Sequence, residues 1–352
     1  MQGPMRADMA RQPEVIAGLL ARAPEFLAAG ATLAPGAGGR LFVAGCGDGA
    51  FAAEAAAEFA RELGLDWRPL GALDLLLSAR RLAAADRVIA ISMSGNVDRT
   101  VAAAEAASGM GARLLALVNG KGGRLGEVAG ARISLDIADI APFLCGTSSY
   151  TATVAALMLL AAGAAGRPEA AEALHAALPA IRAAIAFEVT EAVPSGVRLL
   201  SAGADAGTVR YGAAKLVELT GVPAWSADLE EFAHSQYWAT PVTDLIVVVA
   251  AEPALARLAT ESCEALAELG MRCLAMDTEA TPVATATRRW TLPAIPPALA
   301  PLATAIPLQA LAHGLARAGG LDPDTRTHLK GDAARFRVSR MLTRRSLIGT
   351  GQ

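Results

Sequence analysis

The second half of this chain repeats the first. "RLFVAGCGDGAFAAEAAAEFARELG" from Arg40 resembles "VRLLSAGADAGTVRYGAAKLVELTG" from Val197, with Gly45 and Gly203 in register. "DRVIAISMSG" from Asp86 then falls against "DLIVVVAAEP" from Asp244, and "GARLLALVN" from Gly111 against "GMRCLAMDT" from Gly270, with single-residue slips. A chain of 352 residues built this way is expected to form two similar domains, each long enough for its own core.

Within each copy, short apolar runs such as 41–44, 88–91 and 114–118 alternate with amphipathic helical stretches such as 50–63 and 98–110. The runs are continuously apolar, which indicates an α/β fold with a parallel sheet covered on both faces. The expected plan is an N-terminal helical segment over 1–35 with a helix over 9–27, and a first domain over 36–166. A linker over 167–195 with a helix over 169–187 follows, then a second domain over 196–330 and an extension over 331–352. The arginines of that extension alternate with apolar residues, as in a solvent-facing or oligomer-contacting helix.

Composition narrows the partners. A net charge of −3, with no basic cluster interleaved with aromatics, gives no reason to expect nucleic acid or an anionic membrane. Cys46, Cys145, Cys263 and Cys273 lack CxxC spacing and a nearby histidine cluster, so no disulfide framework or structural zinc is expected. No GxGxxG follows a strand, and neither a nicotinamide cofactor nor a metal is expected. The first ten residues carry no secretory signal, and the longest apolar tract, 151–165, is shorter than the roughly 20 residues a bilayer needs. The expectation is a cytoplasmic protein acting on a small molecule. A hydrophobic content of 53% with only 4% aromatics fits closely packed, alanine-rich helices over the sheets.

One stretch breaks the symmetry of the repeat. "SMSGNVDRT", from Ser92 to Thr100, follows a strand and opens a helix, the place where ligands bind in parallel sheets. Ser92, Ser94 and the amides of Gly95 and Asn96 can form a phosphate cup at a helix N-terminus, or the serines can be ordinary helix caps. The second copy reads "VAAEP" at this point, with no serine or glycine and with an acid at Glu252, so the fold alone does not require the serines. A second hydroxyl cluster, Thr147, Ser148 and Ser149 in "CGTSSYT", opens the last helix of the first copy and admits the same two readings.

These segments resemble the sugar isomerase (SIS) domains, specifically tandem-SIS proteins, over roughly residues 9–330. The resemblance implies two doubly wound, flavodoxin-like αβα sandwiches and a phosphosugar ligand. The family's S-x-S-G-x-T phosphate loop matches at Ser92, Ser94 and Gly95, with Val97 at the usual threonine and Thr100 one helical turn on. The strand-end motif C-G-(T/S)-S appears as "CGDG", which places Gly47, Asp48 and Gly49 at the sugar, and T-K-(S/A)-(F/Y)-T appears as "TSSYT", with Ser148 at the lysine position. In the second copy "KLVE" and "EFAHSQ" match the family's K-L-x-E and E-x-x-H-G-P, supplying Lys215, Glu218 and His234. Tyr211 stands where glutamate is frequent. The ending "GLDPDTRTHLK" is similar to NPDxPRxLxK and offers Lys330 as a lysine that closes over the site. The family often completes its site across a homodimer, with the histidine given by the neighbouring subunit.

Lys215 and Glu218 are three residues apart on an expected helix, so both emerge on one face. An exposed pair of this kind is worth only about 0.2–0.5 kcal/mol and is common, so spacing alone favours a solvated ion pair. With His234 and the serine loop the chemistry of an aldose–ketose interconversion, or of aminosugar deamination, becomes available. Glu218 would carry a proton between neighbouring carbons, His234 would serve the ring oxygen, and Lys215 would hold the developing enediolate or keep Glu218 correctly charged. The expected function is a phosphosugar isomerase or an aminosugar-phosphate deaminase/isomerase. A fructosamine-6-phosphate deglycase and a non-catalytic phosphosugar sensor are the alternatives.

Overall fold

The computed structural model describes residues 3–344 apart from 37, 143 and 190. Two parallel five-stranded sheets with flanking helices bear out the α/β architecture of tandem αβα domains. The first contains β1 (Leu41–Gly45), β2 (Trp67–Gly71), β3 (Arg87–Ile91), β4 (Arg113–Val118) and β5 (Arg132–Ser134), in the order β2-β1-β3-β4-β5. The second contains β6 (Val197–Ser201), β7 (Ala224–Asp228), β8 (Leu245–Ala250), β9 (Arg272–Thr278) and β10 (Arg288–Leu292), in the order β10-β9-β8-β6-β7. Read from its other edge, the second sheet is wound like the first.

Contacts divide the chain into two compact units that do not follow chain order. Among the described residues, 3–17, Ile140–Thr151 and Leu174–Thr325 gather round β6–β10, and Gly18–Asp139, Ala152–Ala173 and 326–344 gather round β1–β5. The segment carrying "CGTSSY" therefore belongs to the unit of the second sheet. No helix among the described residues is long and apolar enough to cross a membrane.

In the first unit Phe42, Val88, Ala90, Leu114 and Ala116 put one sheet face against Leu75, Val101, Ala104 and Leu125. In the second unit both faces are covered: Leu199, Val247 and Leu274 pack with Val209, Leu216 and Leu308, while Ile246, Val248 and Ala275 pack with Phe232, Ala259 and Cys263. Gly212 lets the helix Ala206–Thr220 press inward, since a Cβ there would come within 2.8 Å of Leu308 and 2.9 Å of Leu199.

Three expected helices are interrupted. The helix expected over 9–27 is split among Pro4–Ala10, Gln12–Ala21 and Ala23–Ala31, with Pro4, Pro13 and Pro24 each in a first turn where a missing N–H costs no helical bond. The stretch 50–63 is Asp48–Ala55 followed by Ala57–Glu62. The linker helix is Glu169–Ala173, a 3-10 turn at Leu174–Ala177, and Leu178–Ala184 with Pro179 in its first turn.

The repeat also preserves an ion pair at the base of each sheet. Asp86, buried before β3, accepts Arg40 Nη2 at 2.6 Å, Arg40 Nε at 3.0 Å and the Arg40 and Ala83 amides at 3.0 and 2.8 Å. Asp244, buried before β8, accepts Arg198 Nε at 3.1 Å and the Ser195 hydroxyl at 2.9 Å. Hydrogen bonds from Arg40 hold the Asp86 carboxyl down at about 2, from an ordinary 3.8. A folded value below the unfolded one stabilises the fold above about 3.8, and the contribution shrinks as pH falls toward 2; its full size is about 2 kcal/mol. Asp86→Asn is therefore expected to lose about 2 kcal/mol in urea denaturation at pH 7, with a clearly smaller loss at pH 3.

Candidate active site

A sheet wound in this order has a crevice where connections leave in opposite directions, here at the carboxyl ends of β1 and β3. Gly45 pairs with Ile91 there, so the loops that follow, Cys46–Gly49 and Ser92–Asn96, are neighbours. Gly47 turns the chain with φ +52° into the helix Asp48–Ala55, and Asp48 stands half-buried in its first turn. The buried Thr100 hydroxyl lies 3.6 Å from Cys46 Sγ and ties the two loops together.

The serines are not caps of the helix that follows. The helix Asp98–Gly109 begins at Val97 with no side-chain capping bond. Ser92 is buried, and its hydroxyl has no hydrogen-bond partner among the described residues. Ser94 is exposed and its hydroxyl accepts the Asn96 amide at 3.2 Å. Gly95 has φ +65°, and a Cβ there would fall 1.7 Å from the Gly122 carbonyl oxygen, so the turn requires glycine. Arg124, which sequence reasoning missed, closes the other side: its guanidinium donates to the Asn96 carbonyl at 2.9 Å and pairs with Asp98. Its signal was available, since Arg124 follows the carboxyl end of β4. A hydroxyl pair, turn amides, a helix N-terminus and a guanidinium form a set of donors suited to a phosphate.

The equivalent crevice of the second sheet, after β6 and β8, has a different character. Asp205 is buried at the start of the helix Ala206–Thr220, where burial pushes its carboxyl up to about 6 and the Thr304 hydroxyl, donating at 2.5 Å, opposes the rise. A Cβ on Gly203 would lie 3.4 Å from Glu252 Oε2, which places that acid at the same sheet end. By the register of the repeat Glu252 stands at the position of Ser94, and Asp205 at that of Gly47.

The helix Ala206–Thr220 carries Tyr211, Lys215 and Glu218 at i, i+4 and i+7, one stripe on one face. Lys215 Nζ is 2.7 Å from Glu218 Oε2, with the side chains 6% and 29% exposed. The pair is therefore not the solvated surface pair that spacing alone favoured. Cys145 Sγ lies 3.9 Å from the same carboxylate oxygen, the Tyr211 hydroxyl donates to the Gly146 carbonyl at 2.6 Å, and Tyr150 stacks on Tyr211 with centroids 3.6 Å apart. Lys215 Nζ stands 5.5 Å from the Tyr211 ring centre. A carboxylate held by an ammonium in a sparsely hydrated setting can exchange protons with a bound carbon acid.

The other expected residues are placed as follows. Thr147 and Ser148 are buried at the start of the helix Ser148–Ala164 and direct their hydroxyls to Asp8, while Ser149 is half-buried in its first turn. His234 ends the short helix Leu229–His234 with 69% of its side chain exposed, and Nε2 is 3.0 Å from Glu230 Oε1. The side chain of Lys330 lies outside the described residues. Among those residues no three His, Cys, Asp or Glu side chains gather so as to hold a metal ion.

Comparison with known proteins bears on the family and the fold. Residues 37–163, which include β1–β5 and the serine loop, match the SIS domain family. The region around the first sheet is a SIS domain. No curated protein sequence matches the chain. Its fold is similar to that of tagatose-6-phosphate ketose/aldose isomerase from Escherichia coli (TM-score 0.71, 20% identity, 91% of this chain and 94% of that one). It is likewise similar to the C-terminal domain of glucosamine-fructose-6-phosphate aminotransferase from Francisella tularensis (TM-score 0.74, 15% identity, 92% and 99%). Glucosamine-6-phosphate deaminase from Thermotoga maritima shares the fold as well (TM-score 0.64, 17% identity, 82% and 88%). At these identities the likeness is one of fold, and it extends the SIS architecture over both sheets.

The backbone of the SIS serine loop makes its own prediction. Gly95→Ala forces a side chain into a positive-φ turn and onto the Gly122 carbonyl, at a cost of about 1–3 kcal/mol or more. The loss is expected in urea denaturation, together with faster amide exchange over residues 92–96.

Proposed function

We propose that the chain is a phosphosugar isomerase or an aminosugar-phosphate deaminase/isomerase, in which the serine loop takes the phosphate and Glu218 moves the proton. The observation that carries this reading is the Lys215–Glu218 contact at 2.7 Å with Lys215 buried. Removing a lysine and a glutamate from water is costly, and a core filled mostly by alanine, leucine and valine gains nothing in stability that an apolar pair would not provide. Chemistry accounts for the pair better than folding does.

On this reading Ser92, Ser94, Gly95, Asn96 and Thr100 form the phosphate site, supported by the unpartnered Ser92 hydroxyl and the uncapped helix behind it. Gly47, Asp48 and Gly49, at the neighbouring strand end, face the sugar, and the Asp48 carboxylate suits a hydroxyl or an ammonium. Once the ring is open, Glu218 takes the proton from the carbon beside the carbonyl or imine and returns it to the next carbon. The intermediate is an enediolate or enolamine, and Lys215 offsets the charge that develops on its oxygen. In the deaminase variant reprotonation of the neighbouring carbon leaves a ketimine; water adds to it to give a carbinolamine, from which ammonia departs as the ketone forms. His234 serves the ring oxygen, and we assign it to a homodimer in which it reaches the neighbouring subunit's site. Its exposure, and that of Trp238 at 81% close by, support that assignment. Thr147 and Ser148 are left out of the phosphate set because Asp8 takes their hydroxyls.

The test is proton exchange in deuterated water with fructose 6-phosphate, glucosamine 6-phosphate and fructosamine 6-phosphates, followed at the carbon beside the carbonyl. Wild type is expected to incorporate deuterium into at least one of them. Glu218→Gln should reduce incorporation at least 1,000-fold while still binding, and the double variant Ser92→Ala/Ser94→Ala should raise KM at least tenfold. Tight binding of a phosphosugar with no exchange would overturn the enzymatic reading and leave a sensor.

A further inference from the structure

Asp8 lies outside both copies of the repeat, in the helix Pro4–Ala10, and is buried. Its carboxylate accepts the Ser148 amide at 2.9 Å, the Ser148 hydroxyl at 2.9 Å, the Thr147 hydroxyl, and Arg11 Nε at 2.9 Å. The 17-residue helix Ser148–Ala164 therefore begins on a carboxylate supplied from more than 130 residues away, which suits the partial positive charge of its first turn. Neighbouring polar groups join the arrangement: the Thr151 hydroxyl donates to Gln12 at 2.8 Å, and the Gln12 amide donates to Gln309 at 2.9 Å.

The turn that Asp8 holds reaches the Tyr211–Lys215–Glu218 stripe at three points. Cys145 meets the Glu218 carboxylate, the Gly146 carbonyl accepts the Tyr211 hydroxyl, and Tyr150 lies flat on the Tyr211 ring with the planes 8° apart. All three contacts fall within five residues of the two hydroxyls that Asp8 accepts. A displaced turn would take with it the thiol against the Glu218 oxygen and the aromatic wall beside Lys215.

We infer that Asp8 is a positioning residue for Glu218, acting through the 145–150 turn. The inference rests on the assignment of Glu218 as the proton carrier. Misplacing a reacting group by about 1 Å can cost on the order of 100-fold in rate without loss of affinity. The role therefore predicts a fall in kcat rather than a rise in KM.

Two readouts separate this role from plain structural support. Cys145, Cys263 and Cys273 are all buried, so alkylation of the native protein by a thiol reagent, followed residue by residue by mass spectrometry, reports the 145–150 turn against two internal controls. In Asp8→Asn, Cys145 is expected to react at least tenfold faster than in wild type, with Cys263 and Cys273 unchanged. In the exchange assay kcat should fall at least tenfold with KM within threefold. Thr147→Val should show both effects to a smaller degree, which covers the case in which Asp8→Asn does not fold, and Thr147→Ser should show neither. Unchanged Cys145 reactivity, or faster Cys145 reactivity with unchanged kcat, would overturn the inference. If wild type exchanges no proton into any sugar phosphate, the proposed function fails and the positioning role of Asp8 fails with it. The alkylation result still decides whether Asp8 holds the turn.

Discussion

The site depends on a clamp at the opposite end of each sheet. Arg40 and Asp86 join the starts of β1 and β3, and Arg198 and Asp244 join the starts of β6 and β8. Parallel strands fixed at their beginnings arrive in register at their ends, so Gly45 stands beside Ile91 and the two loops that follow open into one crevice. The chemistry of each unit is decided by what those loops carry, and the clamp sets where they begin. Flat packing reinforces it: Arg198 lies over the Trp225 ring at 4.0 Å and Arg40 over Phe42 at 4.9 Å, so each cation is both paired and stacked.

From this common frame the two units diverge in charge. The crevice after β1 and β3 presents hydroxyls and amides with Arg124, which is paired with Asp98, and carries Asp48 on the neighbouring loop. The crevice after β6 and β8 presents Asp205 and Glu252, which disfavour an anion. The second unit instead carries polar side chains on the outer reach of the helix Ala206–Thr220, where Gly212 lets the helix seat deeply and Lys215 is carried below the surface. At that depth the lysine is paired with the Glu218 carboxylate at 2.7 Å, so the seating of the helix also places the pair.

Much of this was legible in the sequence, for identifiable reasons. Strands β1, β3 and β4 show themselves as continuous apolar runs, because strands buried on both faces leave no alternation to misread. The repeat revealed the second sheet, and the asymmetry between "SMSGN" and "VAAEP" singled out the serine loop. Helix continuity was less legible where alanine dominates: 9–27 and 169–187 each read as one helix, yet prolines and close packing break them into short pieces. The choice between cap and ligand for Ser92 and Ser94 could not be made from residue type, since both uses favour the same side chains. The structure puts Val97 at the cap position of the helix Asp98–Gly109, which excludes capping of that helix by either serine. Arg124 was within reach of the strand-end rule, whereas Asp8 lies outside the repeat and reveals itself only through the partners that folding brings to it.

The treatment of hydroxyls in the two places sharpens the functional argument. Among buried hydroxyls at helix starts, Thr147 and Ser148 have Asp8, and Thr304 has Asp205 and the Ala300 carbonyl, whereas Thr208, like Ser92, has no hydrogen-bond partner among the described residues. A buried hydroxyl without one forfeits about 1–3 kcal/mol relative to water. Ser92 is in that position at the mouth of a crevice, one residue past the end of β3, while the residues around it are held by Gly95, Asn96 and Arg124. The fold accepts this cost where a ligand oxygen would remove it, and a phosphate has oxygens enough for Ser92, Ser94 and the turn amides together.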